Sequence, residues 1–242
     1  MPILSAFGAA RAIGGPVAGS SGIQQGEYSY SFNGSTSVVS YPTNAAFTAG
    51  SNNLTVEFWV YITANPGSGS GNRYAILSLG DDNLGSAGAW GIGIDNAGKV
   101  NWRRVTSGAV YSNINSSASV TLNAWNFVAV SRSGNTIYIF IGGTQYAATS
   151  MSNALSLNRA PIIGRCGSTN YLNGQISNLR YLIGTGITSS TVPTSPLQDI
   201  TNTKLLTCRN STIVDNSTAN SGSAWSITSS NVTVQASSPY YP

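Results

Sequence analysis

Chemistry at neutral pH needs groups that exchange protons, attack electrophiles or hold metals, and this chain has few of them. Its seven carboxylates are Glu27, Glu57, Asp81, Asp82, Asp95, Asp199 and Asp215. The one adjacent pair, Asp81 and Asp82, stands in the loop-like run GDDNLGSAGA. Histidine is absent, which removes the usual serine and cysteine triads and leaves no base whose ordinary pKa lies near neutrality. Asp81, Asp82 and Asn83 are oxygen ligands of the kind calcium takes, but Asp and Asn beside glycine are also ordinary turn formers. No distant carboxylate is assigned to complete a calcium shell, so a turn is the simpler reading and no cofactor is expected. Cys166 and Cys208 cannot make a zinc site without further ligands, and two separate thiols are expected.

With little to support catalysis, surfaces that bind become the alternative. The run AWGIGIDNAGKVNWRRV reads as a hairpin. If Asn96, Ala97 and Gly98 form a three-residue loop with Gly98 left-handed, Ile94 faces Val100, Ile92 faces Trp102 and Trp90 faces Arg104. One face is then apolar. The other carries Gly91, Gly93, Asn101 and Arg103, a shallow strip that would admit either a sugar or a neighbouring segment of backbone. Asn101 and Arg103, with Tyr111 beside the polar run SNINSS, are the candidate carbohydrate-binding residues. Trp90 and Trp102 fall on the apolar face, where core packing is expected.

The elements that would position these residues are short strands with no helical stripe. YSYSFNGSTSVVSY is a strand, an Asn-Gly turn and a second strand. LTVEFWVYIT puts Val56, Phe58, Val60 and Ile62 on one face and Glu57, Trp59 and Tyr61 on the other. WNFVAVSRSGNTIYIFIGG is a hairpin apolar on both faces, which suits a strand pair covered on both sides by other chain or by a subunit. LNGQISNLRYLIGT changes phase, because Leu172 and Ile176 share one parity while Leu179, Tyr181 and Ile183 share the other. A β-bulge makes such a change, and sheets that must curve use it.

Only 7% of residues are charged, against about 25% in ordinary soluble proteins. Neutral hydrogen-bonding groups therefore carry the polar surface. The net charge of +4 comes from scattered residues, and on a strand Arg103 and Arg104 point to opposite faces, so no phosphate-binding cluster forms and nucleic acid is not an expected partner. No apolar run reaches membrane-spanning length, and no membrane insertion is expected. Residues 1–25 are Gly- and Ala-rich without a period, and read as an arm. Such an arm would be ordered only against its own body or a neighbouring subunit, which makes it the expected element of assembly. Residues 26–185 form the body, and 186–242 an extension that completes or flanks it.

Taken in order, YSFNGSTSVVS, LTVEFWVYI, AWGIGIDNAGKV, WNFVAVSRSGNTIYIFIGG and LNGQISNLRYLIGT resemble the successive strands of the laminin G-like branch of the concanavalin A-like lectin and glucanase superfamily. The resemblance implies an all-β fold, a jelly-roll sandwich of two curved antiparallel sheets, and places Trp125 in the core. Glucanases of that superfamily need two carboxylates two residues apart on one strand, projecting into one cleft. No two carboxylates here have that spacing, so the resemblance implies binding without hydrolysis. The tail VPTSPLQDITNTKLLTCRNSTIVDNST also resembles the ending of jelly-roll proteins of tailed phages. That implies a non-enzymatic virion structural protein, a capsid decoration or a tail or fibre component. It would be a homo-oligomer that contacts other virion proteins through the N-terminal arm. The alternative is a carbohydrate-binding module that adsorbs to a cell-surface glycan, and one protein can do both.

Overall fold

Two antiparallel sheets account for nearly all the regular structure in the computed structural model, which describes residues 27–67, 72–80, 87–107, 110–151, 154–155 and 158–240. In chain order the strands are β1 (Ser29–Asn33), β2 (Val38–Ser40), β3 (Leu54–Tyr61), β4 (Arg73–Leu79), β5 (Trp90–Asp95), β6 (Lys99–Ser107), β7 (Val110–Ser119), β8 (Trp125–Ser133) and β9 (Thr136–Ile141). They continue with β10 (Thr144–Ser150), β11 (Pro161–Ile163), β12 (Arg165–Cys166), β13 (Asn170–Tyr171), β14 (Asn173–Ile183), β15 (Thr203–Thr207), β16 (Thr228–Ser230) and β17 (Thr233–Gln235). The first sheet runs β10-β9-β8-β3-β14-β1-β17, with β15 also on β14, and the second runs β16-β2-β11-β4-β5-β6-β7. A two-stranded ribbon, β12-β13, stands beside them. This is the expected jelly-roll sandwich. The arm, residues 1–25, lies outside the described residues.

The core lies between the sheets. Leu54, Val56, Phe58 and Val60 of β3, Val128 and Val130 of β8, and Ile137 and Ile139 of β9 meet Ile92, Ile94, Val100 and Trp102 of the second sheet. Trp90 and Trp102 stack with ring centroids 4.7 Å apart at 16°. The β5–β6 ladder has the register that the sequence requires, Trp90 on Arg104, Ile92 on Trp102 and Ile94 on Val100. Gly98 takes φ +76° in the turn. Asp95 Oδ1 fixes that turn by accepting from the backbone N–H groups of Ala97 and Lys99, each at 2.9 Å.

The phase change in LNGQISNLRYLIGT is a bulge. Ser177 pairs with Trp59 and Arg180 with Glu57, so three steps on β14 oppose two on β3. Asn178 absorbs the extra residue at φ +52°, an angle Asn tolerates better than most side chains. Ile176, Leu179, Tyr181 and Ile183 then all face the core. Without the bulge one half of β14 would point its apolar set to the other side.

Both faces of β8 and β9 are covered, as their composition requires, and the cover comes from this chain. Trp59, Phe127, Ala129 and Phe140 form a second apolar layer on the outer face, packed by Ile187 and Tyr240. Trp59 donates its indole N–H to the Tyr240 hydroxyl at 2.9 Å. The described part of the extension thus contributes to both sheets: β15 and β17 extend the first and β16 the second. Asp215 pins this extension from within. Its carboxylate accepts from the Tyr41 hydroxyl, the Leu206 N–H, the Ser217 hydroxyl and the Trp225 N–H at 3.1, 3.0, 2.7 and 3.0 Å.

Candidate carbohydrate-binding site

The outer layer on the first sheet stops short of one end, where a row of side chains crosses three strands. Trp125, the first residue of β8, pairs with Tyr61, the last of β3. Tyr61 pairs in turn with Gln175 of β14. In a pleated sheet, residues in such a row point to one face, and this is the face that carries Trp59 and Phe127 one pleat further on. The two rings stand 5.7 Å apart at 58°, and both residues are half-buried. With Asn123, Ala124 and Ser237 they line a cleft of about 400 Å³, within the size range of small-ligand sites.

Local contacts hold the cleft in shape. Asn126, buried behind Trp125, gives its side-chain N–H groups to the Thr121 and Ala124 carbonyls at 2.8 and 2.9 Å and accepts from Thr121 N–H at 2.9 Å. That staples the loop entering β8. Asn123 takes φ +56° and its backbone N–H donates to the Ile62 carbonyl at 2.9 Å. Gln175 Oε1 accepts the Ser29 hydroxyl at 2.9 Å, which fixes the amide and presents Nε2 as its donor. No charged side chain lines the cleft. Aromatic faces, an anchored amide donor and a second amide on the rim suit a neutral polyhydroxylated ligand.

The candidates drawn from the sequence lie elsewhere. Asn101 and Arg103 sit on β6 opposite Gly93 and Gly91, and they are 2% and 5% exposed. Asn101 Oδ1 accepts from Arg73 Nη1 at 2.6 Å, and Arg103 Nε donates to Asn113 Oδ1 at 2.9 Å. At Gly93 an added Cβ would meet the Tyr74 carbonyl at 2.6 Å and Arg73 Nη1 at 2.9 Å. There the bare backbone admits a neighbouring strand and its arginine, the second of the two uses open to such a strip. Tyr111 pairs through its backbone with Val105 in β7, and its side chain is outside the described residues. Asp81, Asp82 and Asn83 are also outside them. Among the described residues no three His, Cys, Asp or Glu side chains gather as a metal site requires.

Four of the described carboxylates are engaged in holding the fold together. Glu57 pairs with Arg180 at 2.5 Å, Asp95 holds the hairpin turn, Asp199 accepts from Thr218 N–H and hydroxyl at 2.9 and 2.8 Å, and Asp215 is the buried anchor of the extension. Burial raises the Tyr41 and Cys208 groups well above their ordinary values, so both stay protonated at neutral pH. Cys166 and Cys208 are buried as separate thiols.

Trp125 packs against the outer apolar layer but is only half-buried, so sequence reasoning placed it in part. The expectation was a core tryptophan, but its parity in β8 is that of Phe127 and Ala129, the outer layer, and it lies at the strand's start, where the covering segment gives way to the cleft. Tyr61, on the Glu57–Trp59–Tyr61 face, carried the same signal.

A family model described as the concanavalin A-like lectin and glucanase superfamily, laminin G type, matches residues 33–182. This chain belongs to that superfamily. No curated protein matches the sequence. Among solved structures, a native heptameric pentraxin from Limulus polyphemus superposes with TM-score 0.60 at 14% identity, covering 90% of this chain and 98% of that one. A putative carbohydrate-binding protein from Bacteroides ovatus gives TM-score 0.58 at 14% identity, covering 88% of this chain and 60% of that one. Domain 4 of an extracellular arabinanase from Geobacillus stearothermophilus, in complex with arabinotriose, gives 0.50 at 13%, covering 65% and 71%. At such identities the likeness is one of fold. For this member of the superfamily the site must be argued from its own residues.

Proposed function

We propose that this chain is a non-catalytic carbohydrate-binding jelly-roll that engages a neutral oligosaccharide in the Tyr61–Trp125 cleft. One observation carries the reading: two paired, half-buried aromatic rings flank a cleft whose remaining lining is amides, a hydroxyl and a methyl group. Sugar C–H faces pack on the rings while Gln175 Nε2 and Asn123 bond the hydroxyls. Superfamily membership and the fold shared with a carbohydrate-binding protein and an arabinotriose-bound domain support the ligand class. Absence of the two-apart carboxylate pair supports binding without hydrolysis.

The proposed setting is the surface of a virion, as a capsid decoration or tail component, homo-oligomeric and attached to other virion proteins through residues 1–25. The likeness of residues 192–218 to the ends of tailed-phage jelly-roll proteins supports it, as does a surface whose polar groups are mostly uncharged. Deleting residues 1–25 should leave glycan binding intact and abolish incorporation into particles; normal incorporation refutes the attachment role.

A glycan array followed by calorimetric titration of the best ligand, with arabinotriose as the first probe, tests the binding reading. Trp125→Ala should weaken binding about tenfold or more, since an aromatic anchor is worth roughly 1–3 kcal/mol. Undiminished binding by the variant, or no neutral glycan retained at all, overturns it.

A further inference from the structure

The segment that follows β17 runs along one side of the aromatic cleft and is fastened at both ends. Upstream, Gln235 closes β17 by pairing with Ser29 of β1, and the hydroxyl of Ser29 is the donor that holds Gln175 in the cleft. Downstream, the Tyr240 ring meets Trp59 edge-on, with centroids 5.8 Å apart at 80°, and its hydroxyl accepts the indole N–H at 2.9 Å. Between the two fastenings Ser237 lines the cleft and Ser238 is fully buried. The Ser238 hydroxyl accepts the Tyr240 N–H at 3.3 Å. Pro239, between them, has a fixed φ, which lowers the entropy lost in ordering the segment.

Both fastenings lie next to the site they would shape. Trp59 precedes Tyr61 by two residues on the same face of β3, about 7 Å along an extended strand. Phe127, whose ring centroid is 5.4 Å from that of Trp59, follows Trp125 by two residues on β8. The latch at Tyr240 thus stands one pleat from the cleft's two aromatic residues, while Ser237, three residues back along the chain, forms part of the lining. The opposite side of the cleft, at Asn123 and Ala124, is held separately by the Asn126 amide. Tyr240 is half-buried, and it packs on the outer layer rather than on the core between the sheets. A change at Tyr240 can therefore release the segment and leave the main core packed.

We propose that Tyr240 is a positioning residue of the glycan site: latched on Trp59, it holds residues 236–239 as one wall of the cleft and thereby fixes the cleft's width. Tyr240 acts through Ser237, which the wall keeps beside the ligand's hydroxyls. It acts also by keeping water from one side of the Tyr61 and Trp125 rings, which strengthens the polar bonds made there. The role in binding rests on the glycan-binding reading above, whereas the latch itself does not.

The test is hydroxyl-radical footprinting of the full chain, read residue by residue by mass spectrometry, on the wild type, Tyr240→Phe and Tyr240→Ala, with calorimetric titration of each by arabinotriose. Tyr240→Ala should raise the labelling of Trp125 and Tyr61 about threefold by freeing the segment locally, while Trp90 and Trp102 in the core stay as protected as in the wild type. The same variant should weaken arabinotriose about tenfold, and Tyr240→Phe, which keeps the ring and loses only the acceptor, about two- to threefold. That graded order separates positioning from general support of the fold. Unchanged labelling of Trp125 and Tyr61 in Tyr240→Ala overturns the latch. Labelling that rises equally at Trp90 and Trp102 shows general loosening and overturns it as well. Raised labelling at the cleft with undiminished arabinotriose affinity overturns the positioning role. If no neutral glycan binds the wild type while Tyr240→Ala still opens Trp125 and Tyr61, the glycan reading fails and the latch stands.

Discussion

Replacing Asp215 by Ala should destabilise the protein by about 3–5 kcal/mol, and the magnitude follows from what the carboxylate holds. Asp215 is 4% exposed, and it accepts hydrogen bonds from Tyr41, Leu206, Ser217 and Trp225. Removing it strands the Tyr41 hydroxyl and the Leu206 and Trp225 amides, each at roughly 1–3 kcal/mol, while Ser217 can rotate to another partner. Water entering the space returns part of that sum. Tyr41→Phe removes one donor and leaves the acceptor with three others, so it should cost about 1 kcal/mol. In the double variant no phenol is stranded, and the combined loss should fall short of the two single losses by about 1 kcal/mol or more. Urea unfolding followed by tryptophan fluorescence reads all three, with Trp225 beside the site as reporter. A loss below about 1 kcal/mol for Asp215→Ala, or strict additivity, would refute the claim that this carboxylate fastens the C-terminal extension to the core.

Further outcomes follow from other particulars. Gly164 sits at φ +83° with an added Cβ falling 2.3 Å from two Phe32 ring carbons; Gly164→Ala should cost about 2–4 kcal/mol, read by thermal melting, and a shift under about 2 °C would contradict the packing. Asn178→Val, which forces a β-branched residue into the left-handed bulge at φ +52°, should destabilise by about 2 kcal/mol, whereas Asn178→Gly should be far milder. Burial raises the phenols of Tyr30, Tyr41 and Tyr181 in the fold. Unfolded tyrosines lose their protons near pH 10 while the folded ones keep them, so the tyrosines' contribution should be fully present below about pH 10 and be lost progressively above it. With no histidine, stability between about pH 6 and 8 should be nearly flat, and the decline should begin above it as unfolded thiol ionises near pH 8.5 while burial keeps Cys208 protonated in the fold; a sharp change between about pH 6 and 8 would show an ionisation outside this account.

Much of this molecule was legible in one dimension. The β5–β6 register follows from a three-residue turn and the need to gather Ile92, Ile94, Val100 and Trp102 on one side. The break in parity between Ile176 and Leu179 located the bulge in β14 before any partner strand was known. These are local rules: side chains alternate along a strand, glycine and asparagine take left-handed angles, and apolar sets must share a face. What the second face of a strand meets is not local. Trp59, Phe127 and Trp125 face the same side with similar chemistry, yet Trp59 and Phe127 are buried in the outer layer, with Tyr240 on Trp59, while Trp125 at its margin stays half-buried beside a cleft. Nor could neighbouring residues reveal that Arg73, Gly93 and Asn101 converge, because they come from three strands brought together in the second sheet. Sequence determined which residues can pair and turn, while the three-dimensional path decided which of them are covered and which are left open in a cleft, since burial depends on chain segments far away along the sequence.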